Sequence, residues 1–180
     1  AVTGVTVQHV AFQCDTGDII LSRHVAINDD DTSALLLDRC TQAGAPLLLD
    51  ALVKLKDNTA PRIPQDHHAA THAAKVDKHD GYIVWDRPAV EIHNQVRGCN
   101  PWPGATTWLD ALPVRVWKTA VIDRETTGQC PGVLVPSRSR LMVQTQCGII
   151  ELVEVQPANG KRMTGSAFIA GHHGAAGCFI

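Results

Sequence analysis

The chain has 180 residues, of which 44% are hydrophobic and 19% are charged, and its formal net charge is −2. This composition supports one domain or two small ones with a real core, and the bulk charge points to no polyanionic partner. The charge is unevenly spread, since residues 1–81 carry 7 Lys and Arg against 11 Asp and Glu, whereas residues 82–180 carry 9 against 7. The change of sign indicates two modules, of which the second is the more basic.

The six cysteines are scattered singly, with neither a C-x-x-C pair nor a zinc spacing, so we predict reduced thiols and an intracellular compartment. No apolar run is long enough to span a membrane, no signal peptide is visible, and we predict no membrane partner. The chain starts without methionine on the strand-like sequence Ala1–Val7. We therefore expect it to begin inside a domain, with a segment lost upstream.

Two segments rich in Val, Ile and Thr open the chain. We predict strands over Val2–Phe12 and Ile19–Ile27, joined by a turn at Cys14–Asp18, in which Gly17 is free to adopt a positive φ. The two strands form either a hairpin or neighbours within a larger sheet.

A helical pattern follows, in which Asp31 or Thr32 is expected to accept an amide hydrogen at the start. Gly44 and Pro46 interrupt the apolar spacing, so we predict two helices, the second of which ends near Lys56. Two strands and two helices are too little for an independent core. This favours a truncated α/β domain over residues 1–57.

Residues 58–80 form the predicted linker, which is poor in aliphatic residues and contains Pro61 and Pro64. Its histidines are His67, His68, His72 and His79. The i,i+4 spacing of His68 and His72 is compatible with a metal site, but neither a carboxylate nor a cysteine completes it. We therefore favour a solvated connector and predict no metal.

The remaining residues, 81–180, predict a β-rich domain. A short strand at Tyr82–Trp85 precedes a helix that Asp86 is expected to cap, with Pro88 in the first turn. The apolar face of that helix consists of Ala89, Ile92, Val96 and Cys99. Five strands are predicted over Thr106–Asp110, Pro113–Ile122, Gly132–Pro136, Arg140–Thr145 and Gly148–Val155, with turns at Asp123–Gly128 and Ser137–Ser139. Such an arrangement is typical of a small OB-like barrel, and a short helix capped by Thr164 ends the pattern near Ala170.

Between this helix and the first strand of the barrel lies a stiff corner, Asn100-Pro101-Trp102-Pro103-Gly104. The prolines fix two φ angles and keep the residues before them out of the α region, while Gly104 permits a turn that a Cβ would hinder. The string is specific enough to be diagnostic of a family.

Asp15 is the most interesting titratable residue, because it follows a strand in a Thr-Gly turn, where α/β folds often place functional carboxylates. An ordinary turn aspartate is the competing interpretation. Asp-Thr-Gly is also typical of aspartic proteases, but the helices after Ile27 argue against that class.

A basic face is the second candidate site. Lys161 and Arg162 follow the loop after the final strand, and they are joined as candidates by Arg115, Lys118, Arg138 and Arg140. Barrels with basic loops commonly contact nucleic acid through its phosphates, although a solvated surface is an equal alternative. Arg115 and Lys118 fall on opposite faces of a regular strand, so both join one patch only if a bulge intervenes.

Several strings occur together in the order of a known family. Thr3-Gly4-Val5-Thr6, Asp15-Thr16-Gly17-Asp18-Ile19 and Asp31-Thr32-Ser33 resemble the second half of the catalytic domain of methionyl-tRNA formyltransferases. The C-terminal domain of these enzymes is similar to Ile83-Val84-Trp85, Ile92-His93, Val96-Arg97, Asn100–Ala105, Val114–Lys118, Pro131-Gly132 and Gln156–Met163. Their joint occurrence from Thr3 to about Ala170 carries the resemblance.

The resemblance implies a Rossmann-like formyltransferase domain, a linker and an OB-like barrel that binds tRNA. It implies transfer of the formyl group of 10-formyltetrahydrofolate, a co-substrate, to the amine of methionine on initiator tRNA. Asp15 would be the catalytic aspartate that supports a histidine, and the backbone of Thr16 and Gly17 would lie near the folate. Lys161, Arg162, Arg115 and Lys118 would contact the tRNA.

The Asn-x-His pair of the family belongs upstream of Thr3 and is absent from these 180 residues, so we expect them not to catalyse formyl transfer alone. Three interpretations stay open: part of a genuine formyltransferase, a catalytically incomplete RNA-binding or ribosome-assembly component, and a sugar-nucleotide or other folate-dependent formyltransferase. The Gln156–Met163 string argues against the third. Initiator formylation implies the bacterial cytoplasm or a mitochondrion.

Overall fold

The computed structural model describes residues 1–125, 130–137, 139–171 and 178–180. They form two compact units, Ala1–Lys75 and Val76–Ile180. Within these described ranges, no helix is long and apolar enough to cross a membrane. All six cysteines are free thiols.

The first unit begins with two paired strands, β1 (Val2–Gln8) and β2 (Ile19–Ala26). They are antiparallel, with Val5 opposite Arg23, so the predicted strands are confirmed and form a hairpin. Ile63 extends the pairing, because its N–H donates to the Ile19 carbonyl at 3.1 Å and its carbonyl accepts from the Ile19 N–H at 2.8 Å.

A single helix, α1 (Ser33–Lys56), follows the hairpin, so the prediction of two helices is wrong. Thr32 is the N-cap and accepts the Leu35 N–H, as one of the two candidates was expected to do. Pro46 removes only one amide donor, and packing on both sides of it keeps the helix continuous. Gly44 lies where an added Cβ would be 3.2 Å from the Val5 methyl Cγ1, and Leu47 is buried beyond the proline.

The apolar side chains of the first unit are mostly uncovered. Among its aliphatic side chains only Ile20, Leu47 and Ala51 are buried, whereas Leu49 is 64% and Val53 is 58% exposed. A solvent-facing helix of a complete domain normally exposes polar residues along this face. The described residues of this unit therefore do not supply a partner for the outer face of α1.

The second unit opens differently from the prediction. Tyr82–Trp85 does not form a strand, since only an isolated bridge joins Tyr82 to Thr106. The pairing ends because the Trp85 carbonyl accepts from Gln146 instead, and its indole N–H donates to the Thr107 hydroxyl at 2.9 Å.

Helix α2 (Ala89–Gly98) has Pro88 rather than Asp86 at its N-cap, so that prediction is also wrong. The first helical amide, that of Ala89, donates to the Cys147 carbonyl at 2.9 Å and therefore needs no carboxylate cap. The predicted apolar face is confirmed, because its four members are buried: Ala89, Ile92, Val96 and Cys99.

A six-stranded antiparallel sheet packs against α2. Its strands are β3 (Ala105–Leu109), β4 (Leu112–Asp123), β5 (Leu134–Val135), β6 (Met142–Gln144), β7 (Ile149–Pro157) and β8 (Met163–Thr164). Their order is β3-β4-β7-β6-β5, and β8 pairs with β7. The five predicted strands are confirmed, β8 was not predicted, and part of the predicted Asp123–Gly128 turn lies outside the described residues.

Helix α3 (Gly165–Gly171) closes the described fold and is capped as predicted, because the Thr164 hydroxyl accepts the Ala167 N–H at 3.2 Å. Its Phe168 is buried in the common core with Phe179 of the chain end. The remaining core comes from α2 and the inner face of the sheet, including Ile92, Val114 and Leu152.

Two tryptophans of the second unit should differ in their contribution to stability. Trp85 is only 4% exposed and hydrogen-bonded, so Trp85→Ala should lower the free energy of unfolding by about 3–5 kcal/mol. Trp102 is 57% exposed, so the matched Trp102→Ala should cost less than ~1 kcal/mol. Hydrogen exchange of the slowest β4 and β7 amides measures both values, and equal losses would show that the corner tryptophan is as firmly packed as the core one.

Candidate functional site

The loop between β1 and β2 carries the first predicted site. Asp15 is exposed and has a φ of 58°, a left-handed conformation that few non-glycine residues adopt. Thr16 donates its hydroxyl to the Gln13 carbonyl at 2.9 Å. Gly17 is buried, and a Cβ on it would overlap the carbonyl oxygen of His9. Glycine at position 17 therefore allows the loop that carries Asp15 to pack closely against His9.

Two glutamines that the sequence did not single out contact this loop. Gln65 donates its side-chain amide to the carbonyls of Asp15 at 3.0 Å and Gly17 at 2.7 Å. Gln8 donates its own amide to Oδ1 of Asp15 at 3.4 Å. Gln65 is 50 residues from Asp15, and no local pattern in the sequence signals such a contact.

A surface cavity of 640 Å³ lies beside the loop. It is lined on one side by Cys14, Asp15 and Thr16 and on the other by residues of 65–73, including His67 and His72. Across the part of the chain that is described, no group of three or more His, Cys, Asp or Glu side chains could hold a metal ion. The His68–His72 spacing is thus not completed by further ligands there.

The second predicted site is built around the Trp117 ring of β4. The guanidinium carbon of Arg115 lies 5.1 Å from the centroid of this ring, and that of Arg162 lies 4.6 Å from it. Both distances are within the range of cation–π attraction. The indole N–H donates to Oε1 of Gln156 at 3.1 Å, which fixes the ring. The i,i+2 spacing of Arg115 and Trp117 on one strand is a signal that could have identified the tryptophan.

Strand β4 contains the bulge that Arg115 and Lys118 need in order to join one basic face. Val116 pairs with Val155 and Lys118 with Glu154, and the register shifts on both sides of Lys118. Val116 and Thr119 are buried, so Trp117 and Lys118 both lie between two inward-facing positions. A bulge of this kind lets Arg115 and Lys118 share the outer side of the strand.

Carboxylates of β7 neutralise part of this basic face. Glu154 accepts from Nη2 of Arg162 at 2.8 Å, and Glu151 accepts from Nε of Arg140 at 2.9 Å. The hydrogen bond to Glu151 raises the pKa of Arg140 above its ordinary value. Lys118 and Lys161 are exposed and have no ion pair among the described residues, and Arg138 lies outside those residues.

Trp117, Arg115, Arg162 and Gln156 form what we call the Trp117 cluster. The proline corner holds this cluster in place. Arg115 donates to the Pro103 carbonyl at 3.2 Å, and Asn100 donates its side-chain amide to the Trp117 carbonyl at 3.0 Å. Gly104 has a φ of 84°, and a Cβ there would lie 2.8 Å from Nε of Arg115. The positive φ favours glycine at residue 104, and a Cβ there would displace the end of the flexible Arg115 side chain.

The loop that carries Lys161 and Arg162 is fixed by the same glutamine that binds the Trp117 ring. Gln156 donates its amide to the Gly160 carbonyl at 3.1 Å. A groove of 230 Å³ adjoins it, lined by Thr106, Pro113, Arg115, Gln156, Pro157, Ala158 and Asn159. The structure thus brings Arg115 and Arg162 together, whereas Asp15, Thr16 and Gly17 belong to the first unit.

Residues 75–173 match the family model described as "Formyl transferase, C-terminal domain". The chain is 40% identical over 172 residues to the methionyl-tRNA formyltransferase of Acetivibrio thermocellus, a match that covers 95% of this chain and 55% of that protein. The resemblance drawn from the sequence motifs is therefore confirmed. The chain spans about half the length of the curated relatives it matches.

Solved structures share the fold at low sequence identity. HypX from Aquifex aeolicus, in complex with tetrahydrofolic acid, matches with a TM-score of 0.65 at 16% identity over 93% of this chain and 30% of that one. An N-formyltransferase from Helicobacter canadensis, in complex with folinic acid and dTDP-3-aminofucose, gives a TM-score of 0.66 at 20% identity over 84% and 55%. These likenesses show a fold shared with formyltransferases.

Gly17→Ala should disrupt the Asp15 loop, because its Cβ would overlap the His9 carbonyl and force the backbone apart. We expect a loss of about 1–3 kcal/mol, measured as faster exchange of the His9 amide, which donates to the Asp18 carbonyl at 2.9 Å. Gly98→Ala is the control, since nothing lies within 4 Å of the point that its Cβ would occupy. Unchanged protection of His9 in Gly17→Ala would mean that the loop does not need glycine.

Proposed function

The chain belongs to the formyl transferase C-terminal domain family, and from this premise we propose that it forms the C-terminal part of a methionyl-tRNA formyltransferase. The reaction proposed is transfer of a formyl group from 10-formyltetrahydrofolate to the methionine amine of initiator methionyl-tRNA. The observation that carries the proposal is the similarity to five curated methionyl-tRNA formyltransferases over about 95% of the chain, at 36–40% identity. These names favour the enzyme over a catalytically incomplete RNA-binding component.

In this proposal residues 1–57 are the end of a Rossmann-like domain, 58–80 are a linker and 81–180 are an OB-like domain. The uncovered apolar face of α1 supports the first assignment, because such a face needs a partner layer. The match covers 55% of the Acetivibrio thermocellus protein, and in this proposal the unmatched residues of such a protein supply that layer. The order of the sheet and its pairing of β8 with β7 are compatible with an OB-like barrel.

The proposed chemistry assigns a limited role to this chain. The amine nitrogen attacks the formyl carbon, an oxyanion develops on the formyl oxygen, and a proton leaves the amine. Asp15, exposed on a tight loop, would orient and electrostatically support a histidine of the upstream Asn-x-His pair. Thr16 and Gly17 would contribute to the folate pocket, and Thr16 lines the cavity beside the loop. The bond between the formyl carbon and the folate nitrogen then breaks, so the co-substrate that supplied the formyl group leaves as tetrahydrofolate and its nitrogen takes up a proton.

The Trp117 cluster is the proposed tRNA-contacting surface. Arg115 and Arg162 lie over one indole ring, which restricts both side chains before RNA binds. The two side chains therefore lose less conformational entropy on binding. Lys118 and Lys161 add exposed positive charges on the same unit. Contacts of this type are made mainly to phosphates and position the RNA rather than read its bases. The matching relatives are bacterial, so we propose the bacterial cytoplasm rather than a mitochondrion as the compartment.

Asp15→Asn in the full-length protein should lower the turnover number by about 10³- to 10⁴-fold, since a neutral amide cannot support an imidazolium. The fold should stay intact, because the Asp15 side chain is exposed. Formyl transfer is measured in single turnovers, with Asp18→Asn as the control, because the Asp18 carboxylate pairs with the exposed Arg62 at 3.4 Å. Near-normal turnover in Asp15→Asn would remove Asp15 from the mechanism.

Replacing Lys161 and Arg162 together by alanine should weaken tRNA binding and reduce the slope of log affinity against log salt by about 1 to 2. The expected contribution of Lys161 is the larger, because Arg162 must exchange Glu154 for a phosphate. The double variant Lys54→Ala with Lys56→Ala, which removes two lysines from the last turn of α1, serves as the control. An unaltered salt slope in the first variant would exclude this pair from the interface.

A further inference from the structure

Gln65 makes more long-range contacts than a residue of a simple connector needs. Its half-buried Nε2 donates to the carbonyls of Asp15 and Gly17 and lies 3.0 Å from Oε1 of Gln8. An amide nitrogen has two hydrogens, so three oxygens share them. All three acceptors lie 48 to 57 residues away in the chain. The Gln65 side chain therefore connects its own segment to Gln8 at the end of β1 and to the Asp15 and Gly17 carbonyls of the turn.

The contact with Gln8 determines which way the Gln8 amide points. Because Gln65 carries only donors at Nε2, Gln8 must turn its oxygen toward Gln65. The nitrogen of Gln8 then faces the opposite side, where it donates to Oδ1 of Asp15 at 3.4 Å. The two amides form a relay that starts at Gln65 and ends on the carboxylate of Asp15.

The segment that carries Gln65 is itself anchored to β2 and to the residue after β1. Ile63 makes a reciprocal pair of backbone hydrogen bonds with Ile19, and Nε2 of His9 lies 3.3 Å from the Pro61 carbonyl oxygen. These contacts leave Gln65 two residues beyond a fixed point, opposite the loop. A side chain presented in this way is pre-organised for its partners, which lowers the entropy cost of holding them.

We infer that Gln65 is a positioning residue, which holds the Asp15–Gly17 loop through its carbonyls and sets the Asp15 carboxylate through Gln8. The inference rests on the proposed function, in which that carboxylate supports a histidine from the upstream half. An outer contact of this kind acts mainly on the chemical step, because it sets the orientation of a charged group near the reacting atoms. Its bond to the Gly17 carbonyl also holds the backbone that the proposed function places near the folate. Residues 58–75 then contribute to the site and do more than join two domains.

The experiment compares Gln65→Ala and Gln65→Met in the full-length protein. Methionine keeps the length of the side chain but donates no hydrogen bond, so it separates the loss of the amide from the loss of packing. We expect both variants to lower kcat by about 10- to 100-fold and to change KM for the tRNA by less than ~3-fold, with a smaller rise in KM for the formyl donor than the fall in kcat. Gln95→Met is the control, since the Gln95 amide also donates to two backbone carbonyls, those of Asp80 and Tyr82, but contacts none of the Asp15 loop, so its loss should leave kcat unchanged.

A double-mutant cycle with Asp15→Asn distinguishes positioning from a structural role. If Gln65 acts through the Asp15 carboxylate, Gln65→Met should lower single-turnover formylation in the parent and have no further effect in the Asp15→Asn background. If the rate of the double variant falls by the product of the two single effects, the inference is overturned. A parent-like kcat for Gln65→Met together with an inactive Asp15→Asn would overturn it as well. An active Asp15→Asn would instead overturn the proposed role of Asp15.

A second variant keeps the test decisive if the Gln65 substitutions fail to fold. Gln8→Ala removes the amide on Oδ1 of Asp15 but leaves the bonds from Gln65 to both carbonyls. It should lower kcat in the same direction by about 10-fold, with unchanged thermal stability. A Gln8→Ala variant with parent-like kcat would contradict the relay.

Discussion

The basic surface of the second unit depends on how closely the backbone at Gly104 approaches the side chain of Arg115. The positive φ at residue 104 favours glycine, and a Cβ there would displace the Arg115 guanidinium from its present position. From this position Arg115 reaches the Pro103 carbonyl and the face of Trp117. Trp117 in turn carries Arg162, so a backbone constraint in the corner is transmitted to a charge far along the chain. The diagnostic corner string is thereby linked physically to the candidate RNA surface.

The first unit has few buried aliphatic contacts, and its α1 helix exposes an apolar face. Its buried aliphatic side chains are few, and the outer face of α1 is apolar and uncovered within the described residues. In the Asp15 loop Gly17 packs against His9, and Gln65 bonds to two carbonyls. A carboxylate held on a fixed loop at the border of an incomplete core is the arrangement expected where a second half of a site is supplied by other residues. This is why the activity is proposed for the full-length protein.

Local patterns predicted much of the fold, and long-range contacts account for the failures. The apolar spacing of α2 and the alternation of β4 and β7 are properties of neighbouring residues, so the sequence revealed them. Contacts with distant residues accompany both failures, since Gly44 of α1 faces the Val5 side chain and the Ala89 amide donates to the Cys147 carbonyl in place of a cap from Asp86. For the basic face, the sequence showed that Arg115 and Lys118 could share one side of the strand only if a bulge formed. It could not show whether the bulge at Lys118 forms. Gln65 and the neutralising Glu154 were missed because their partners are distant in sequence.

Formyl transfer by the full-length protein in a single turnover is the measurement that bears most directly on the proposed function. The protein is mixed with 10-formyltetrahydrofolate and either methionyl initiator tRNA or a nucleotide-linked amino sugar, the type of compound named for a structural neighbour. We predict formyl-methionyl-tRNA as the product and no formylated sugar. Formylation of the sugar alone, or of neither acceptor, would contradict the assignment of this chain to a methionyl-tRNA formyltransferase.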